Sequence, residues 1–213
     1  MTSYTNNPQG MIELLADADA SARETAAHAI FEAGAELVAP LLRKWMDDAE
    51  LARCFKSAAN RCSEADSPLT ANSAEITVGV AVEPDRFDAI RTANGSPRLA
   101  DVPPDQDAKE FELDLPGGVR LDILTSRESQ GNGAIARYLW RFGEGIQQIE
   151  VGTNDVDRAT VILQTRFGIQ PIYPATRDGA DGTRVNFFLV TTPAGSKLLI
   201  ELVSRGRDGR SGE

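Results

Sequence analysis

One stretch of this chain occurs twice, and that repeat constrains the fold more than any other feature. Phe111-Glu-Leu-Asp-Leu-Pro-Gly-Gly-Val-Arg-Leu-Asp-Ile-Leu-Thr-Ser126 returns as Phe188-Leu-Val-Thr-Thr-Pro-Ala-Gly-Ser-Lys-Leu-Leu-Ile-Glu-Leu-Val-Ser204. Pro, Gly, a basic residue, an apolar strand, an acid and a closing Ser recur in order. Upstream, the β-branched run Ile76–Val82 followed by Asp85-Arg-Phe-Asp-Ala-Ile90 returns as Ile146–Val151 followed by Asp155-Val-Asp-Arg-Ala-Thr-Val-Ile162. The copies lie roughly seventy to eighty residues apart, a spacing that implies two modules of one supersecondary pattern. Each module reads as strand, helix, then three strands. Pro116-Gly-Gly predicts a hairpin turn. Gly133 to Phe142 predicts a short helix, with Ile135, Leu139 and Phe142 at helical spacing. Asn154 or Asp155 caps a helix that runs to Phe167, and Gly168 ends it. Strands are expected near Gln170–Tyr173, Arg184–Val190 and Leu198–Val203.

Residues 11 to about 60 have a different texture. Ser21 and Glu24 have capping-box spacing, and Ala22, Ala26, Ala29, Ile30 and Ala33 recur at helical spacing up to Gly34, a candidate stop. Leu37, Val38, Leu41, Leu42 and Trp45 form a second apolar face, with Pro40 expected in that helix's first turn. A weaker third helical stretch covers Ala49–Ala59. Ser63–Ser73 is polar, small and Pro-containing, a linker signature. Arg205–Glu213 reads as a flexible tail. The resulting division is a helical segment at 1–62, a linker at 63–73, a two-module domain at 74–204 and a tail at 205–213. The fold class is α+β, with a small all-α hairpin preceding the modules.

Charge and rare residues narrow the chemistry. Twenty-two Lys and Arg against 32 Asp and Glu give a net charge of −10, which repels phosphate backbones and anionic lipids. Nucleic-acid and membrane partners are therefore not expected. No apolar run reaches a membrane span, and polar Met1–Gly10 shows no secretory signal. Two cysteines, Cys54 and Cys62, make no disulfide framework, so free thiols in a reducing cytoplasm are the expectation. The one histidine, His28, falls in the helical segment and reads as a structural residue. Gly143-Glu-Gly145 opens onto a strand and lacks a dinucleotide fingerprint's third glycine. Asp178-Gly-Ala-Asp-Gly182 reads as a turn, without calcium-loop spacing. Arg137, Trp140 and Arg141 read as a solvated helix side.

Two resemblances follow from these residues. Met11–Leu42 resembles a HEAT-type helical repeat. A lone repeat cannot cover its own apolar faces, so Leu14, Leu15, Leu37, Leu41 and Trp45 must pack on the modules or on a second copy. A homodimer, or a protein partner on this segment, is expected on that ground. Asp122-Ile-Leu-Thr, Gly133–Val151, Thr153-Asn-Asp-Val-Asp-Arg-Ala, Gly182-Thr-Arg-Val-Asn-Phe-Phe-Leu and Leu199-Ile-Glu-Leu202 resemble the vicinal oxygen chelate superfamily. The methylmalonyl-CoA epimerases are the nearest likeness within it. The resemblance covers about residues 74–204 and implies a cupped sheet of tandem βαβββ modules.

It also implies a metal site between the modules. The family's two histidine ligands fall at Thr77 and Gln148, and its oxygen ligands at Asp122 and Glu201. Glu201 alone keeps the family's residue type. An acid used there for proton transfer falls at Asp105, and the family's His-Pro-Lys turn becomes Thr192-Pro-Ala194. Asp122, Gln148 and Glu201 then form an oxygen-only set, suited to a weakly held Mg²⁺, Mn²⁺, Ca²⁺ or Co²⁺ or to no metal, and zinc is not expected. Strand alternation, preserved by the repeat, aims Thr77, Asp122, Gln148 and Glu201 into one concave pocket. Two carboxylates meeting there raise at least one pKa unless a cation or a donor such as Gln148 lies between them. With both histidines replaced, the expected function is a metal-depleted protein that binds a small molecule, a CoA thioester among the candidates, or that serves as an interaction module. The alternative is an epimerase or isomerase of a CoA thioester or small carboxylate, with Glu201 and Asp105 as its acid/base pair and an oxygen-only divalent metal.

Overall fold

The computed structural model describes residues 8–57, 74–128, 131–192, 195 and 197–204. The expected linker, the tail and Cys62 lie outside the described residues. Three helices come first: α1 (Pro8–Leu14), α2 (Ala20–Met46) and α3 (Ala49–Cys54). The first module follows as β1 (Ile76–Ala81), α4 (Pro84–Ala93), β2 (Lys109–Leu115) and β3 (Val119–Thr125). α5 (Ala134–Phe142) leads to the second module: β4 (Gly145–Gly152), α6 (Val156–Phe167), β5 (Arg177–Asp178), β6 (Arg184–Thr191) and β7 (Lys197–Ser204).

The strands form one sheet in the order β2-β3-β1-β4-β7-β6-β5. In each module the first strand runs parallel to the last, β1 to β3 and β4 to β7, while the hairpins β2–β3 and β6–β7 are antiparallel. The modules meet along the antiparallel pair β1–β4. The first hairpin turns at Pro116–Gly118, as the Pro-Gly-Gly signal predicts. The strand expected directly after each helix is the weakest element. In the second module it is the two-residue β5, and Pro171 makes a single bridge to Phe188 in place of the strand expected near 170–173. In the first module a hydrogen bond from Ala100 N to Glu110 O stands at that point.

The helical hairpin broken at Gly34 is not what forms. α2 is one helix of 27 residues that passes through both Gly34 and Pro40, and its cap is Asp19, whose carboxylate accepts Ser21 N at 2.9 Å. Its buried stripe, Ala26, Ala27, Ile30, Gly34, Val38, Leu42 and Trp45, keeps helical spacing across both breakers. Burial along that stripe offsets the roughly 3 kcal/mol of an interior proline. Gly34 serves close packing rather than termination. A Cβ there would lie 2.5 Å from Val78 Cγ2 and 3.1 Å from Ile149 Cδ1, so α2 is seated directly on β1 and β4. The faces that needed cover are thus covered by the chain's own sheet, except that Leu37 turns outward at 39% exposure. One apolar cluster joins Ile12 of α1, Leu15 just after it, Trp45 of α2 and Leu51 of α3 to Val78, Ile149, Phe188 and Leu202 of the sheet.

An exposed glycine in mid-helix normally gains about 0.5–1 kcal/mol on replacement by alanine. Gly34→Ala is expected to have the opposite sign, a loss of about 1–3 kcal/mol from overpacking against Val78. Urea denaturation measures it; an unchanged or raised midpoint contradicts the close seating of α2.

Candidate functional site

Strand alternation divides the sheet by chemistry. Val78, Ile149 and Ile200 face the helices and join the apolar cluster. Their neighbours Thr77, Gln148, Glu150, Leu199 and Glu201 face the other way and line a cleft of about 1130 Å³. From β3, Arg120, Asp122 and Leu124 line it, and from β2, Glu110 and Glu112. α5 borders the cleft with Ile135 and Arg137. Register brings the polar residues together across the strands. Thr77 lies opposite Glu150, Gly79 opposite Gln148 and Asp122, Glu150 opposite Glu201, and Glu112 opposite Asp122. Gly79 makes room for this crowding: a Cβ there would sit 2.5 Å from Gln148 Cγ.

Thr77, Asp122, Gln148 and Glu201 therefore line one cleft, as the repeat predicts. Asp122 and Gln148 are buried at 4% and 6% exposure, and Glu201 is partly buried. Gln148 Nε2 donates to Glu201 Oε2 at 2.8 Å and reaches Glu150 Oε1 at 3.5 Å. Asp105 borders the cleft too, but its side chain is 65% exposed and ion-paired with Arg177, away from the floor. Arg177 in turn lies over the Tyr173 ring, 4.6 Å from its centre.

Glu110, Glu112, Glu150 and Arg120 were not among the residues expected here. Period-two alternation could have found Glu150, two residues after Gln148 on the same strand face. Arg120 is buried and pairs with Glu75 at 2.9 Å and Glu112 at 2.6 Å. The remaining acids hold their protons more tightly than ordinary carboxyls. Burial pushes Glu150 up to about 7, helped by Glu112 and opposed by hydrogen bonds from Asp122 and Gln148. Burial and the charges of Glu150 and Asp181 push Glu110 up to about 8. Asp122 and Glu201 rise well above the carboxylate range, from burial first and from the neighbouring acids second. The hydrogen bond between Asp122 and Glu150 raises the first and lowers the second.

This floor does not fit the family's divalent ion. None of the residues bordering the cleft is His or Cys. Among the described residues no three His, Cys, Asp or Glu side chains are grouped to hold a metal. Gln148 faces Glu201 as a donor, and Asp122 and Glu150 are tied to each other. The acids satisfy one another where a metal site needs free oxygen lone pairs. Among the described residues no helix is long and apolar enough to cross a membrane.

No protein-family model and no curated protein matches this chain. Solved structures do. The chain is similar to methylmalonyl-CoA epimerase from Mycobacterium tuberculosis, with 26% identity and a TM-score of 0.52, over 69% of this chain and 95% of that one. A hypothetical protein from Bacillus halodurans C-125 matches at 24% identity and a TM-score of 0.51, over 62% of this chain and 93% of that one. A selenomethionine methylmalonyl-CoA epimerase matches at 19% identity and a TM-score of 0.50, over 62% and 94%. The last two likenesses concern the fold alone. The first likeness, together with the paired modules and their shared cleft, gives this chain the vicinal oxygen chelate fold.

Proposed function

We propose that this chain is a small-molecule-binding protein whose cleft works without the divalent ion of the methylmalonyl-CoA epimerases. The observation that carries the reading is Gln148. It stands where the resemblance implies a histidine ligand, and its amide N–H groups hold Glu201 and reach Glu150. The acids are thereby balanced by hydrogen bonds and tightly held protons. The cleft has the volume and the mixed polar and apolar lining of a ligand site. Metal analysis of protein purified without chelators, followed by Mn²⁺ titration read by electron paramagnetic resonance, tests this. The expected result is far less than one divalent ion per chain and no binding below the millimolar range. One ion per chain retained through gel filtration overturns the reading.

A second reading, an epimerase or isomerase of a CoA thioester or small carboxylate, is favoured by one observation. Glu150 at about 7 and Glu110 at about 8 lie where a side chain both takes and gives a proton at neutral pH. Glu201 and Asp105 are the acid/base pair the resemblance implies. Of these, Glu201 lies on the floor with Glu150, whereas Asp105 is engaged by Arg177 at the mouth. Incubation with methylmalonyl-CoA in D₂O distinguishes the readings. Exchange of the proton next to the thioester, lost in Glu201→Gln, establishes the enzyme; no exchange above background leaves a binder.

A further inference from the structure

The two ends of the sheet, far apart in the order β2-β3-β1-β4-β7-β6-β5, are tied to each other. Segment 97–106 lies beside β2, where Ala100 N donates to Glu110 O at 3.0 Å. Segment 177–183 holds β5 and the turn that follows it. Between the segments Asp101 and Asp181 exchange two hydrogen bonds. Asp101 N donates to Asp181 Oδ1 at 2.8 Å, and Asp181 N donates to Asp101 O at 3.0 Å. Arg98 Nη2 meets Asp181 Oδ2 at 2.6 Å, Gln106 Nε2 donates to the Asp178 carbonyl at 3.1 Å, and Arg177 pairs with Asp105. Ala180 packs against the small apolar cluster of Val102, Ala108, Leu124 and Ile135. The curled sheet is thereby closed into a ring. Both segments line the cleft, and the β1–β4 seam lies in the middle of the strand order. The contact therefore bounds the cleft on the side away from the seam.

The two halves of this contact differ in what holds them. Segment 97–106 is fixed to the first module. Val102 within it is buried, and Arg127 donates to the carbonyls of Val102 at 3.1 Å and of Ala108 at 2.8 Å. Segment 177–183 is rooted by the two-residue β5 and by bonds within its own turn, Gly179 N to Thr183 O and Thr183 N to Ala180 O. The seam on the far side is stiff. β1 and β4 pair along their length, and α2 bridges them with Gly34 against both Val78 and Ile149. Opening of the ring therefore falls on the contact and not on the seam. The groups that hold the contact are polar and open to water: the Arg98 and Asp181 side chains are 72% and 40% exposed. Exposed ion pairs are weak and are screened by salt, which suits a joint that opens and recloses.

We propose that segments 97–106 and 177–183 form a clasp that gates the cleft, with 177–183 as its moving half and the contacts of Asp181 with Arg98 and Asp101 as its latch. The clasp adds to the reading of the cleft as a small-molecule site and is tested without a ligand, so either can fail alone. Leu199, which lines the cleft from β7, is replaced by Cys in the full chain. Its labelling is followed with two neutral reagents of one chemistry, the small N-methylmaleimide and the bulky N-(1-pyrenyl)maleimide, after subtracting the labelling of the parent chain. Asp181→Asn removes the charge alone: Asn tolerates the left-handed φ of +52° and keeps an oxygen for Asp101 N. It should speed pyrenyl labelling about threefold, the scale of one exposed ion pair, and leave the methyl reagent within about twofold. Arg98→Gln alters an exposed side chain and should do the same, while the double variant opens no further than either alone. Raising NaCl from about 0.02 to 0.5 M should speed pyrenyl labelling of the chain with Asp181 and change it little in Asp181→Asn. Hydrogen exchange at the Asp101 and Asp181 amides should quicken in step, while the β1 and β4 amides stay unchanged. Pyrenyl labelling that ignores both variants and salt overturns the clasp. Exchange that quickens equally in β1 and β4 overturns it too, because the chain then opens as a whole.

Discussion

Reducing the chain to residues 74–204, without α1, α2 and α3, is expected to leave no soluble monomer of the two-module sheet. α2 contacts β1, β3 and β4, and α1 contacts β4, so these helices cover the centre of one sheet face. Gly34 sits against Val78 and Ile149 with no space for a single added carbon. Without the helices that face presents a broad apolar patch to water, which drives association. Within the full chain, Trp45→Ala gives a graded form of the same loss. Trp45 is 0% exposed and packs near Phe55, with ring centres 6.2 Å apart. Its truncation should cost about 3–5 kcal/mol, a large share of the 5–15 kcal/mol that holds an ordinary domain together. Gel filtration and near-ultraviolet circular dichroism of residues 74–204 decide the first point. A monodisperse fragment with the melting temperature of the whole chain contradicts it. Urea denaturation decides the second; a cost under about 1 kcal/mol shows that Trp45 does not anchor the helix.

Stability is also expected to decrease as pH rises from about 5.5 to 8.5. Glu150 and Glu110 move from an ordinary 4.5 up to about 7 and about 8 in the folded chain. A carboxyl with a raised folded-state pKa binds its proton more tightly folded than unfolded. Its contribution is therefore complete below 4.5 and is lost as pH climbs through the folded value. Ionising Glu150 alone costs on the order of 3 kcal/mol at 1.36 kcal/mol per pH unit. Asp122 and Glu201 shift in the same direction and extend the loss upward. Urea midpoints at pH 5.5 and 8.5 measure it, and Glu150→Gln should flatten the difference. A midpoint that holds or rises with pH is inconsistent with a proton-holding floor.

The sheet was legible because its information is local and repeated. Alternation along Ile76–Ala81 and Gly145–Gly152 fixes which side chains share a face, and the duplicated hairpin fixes equivalent positions. Thr77, Asp122, Gln148 and Glu201 consequently fall in one cleft. What stayed hidden depends on partners far along the chain. Gly34 has the local signature of a helix stop, but Val78 and Ile149 decide its role, and α2 continues through it. Pro40 likewise yields to the burial of Val38, Leu42 and Trp45 around it. On β2, Glu110 and Glu112 read as the solvated half of an alternating edge strand. Both border the cleft, Glu110 half-buried and Glu112 exposed, because the sheet, α5 and the 177–183 segment surround that face.

The seat of α2 has a consequence for how this molecule is made. The helix precedes its seat in the chain, and that seat is split between the modules, with Val78 in β1 and Ile149 in β4. The stripe from Ala26 to Trp45 must therefore wait through synthesis of the first module and α5 before its platform exists. During that interval a long helix with one apolar face is available to chaperones or to neighbouring nascent chains. Closure of β1 on β4 then completes the platform and buries the helix in one late step. Heterologous yield is therefore expected to respond to translation rate and to chaperone supply.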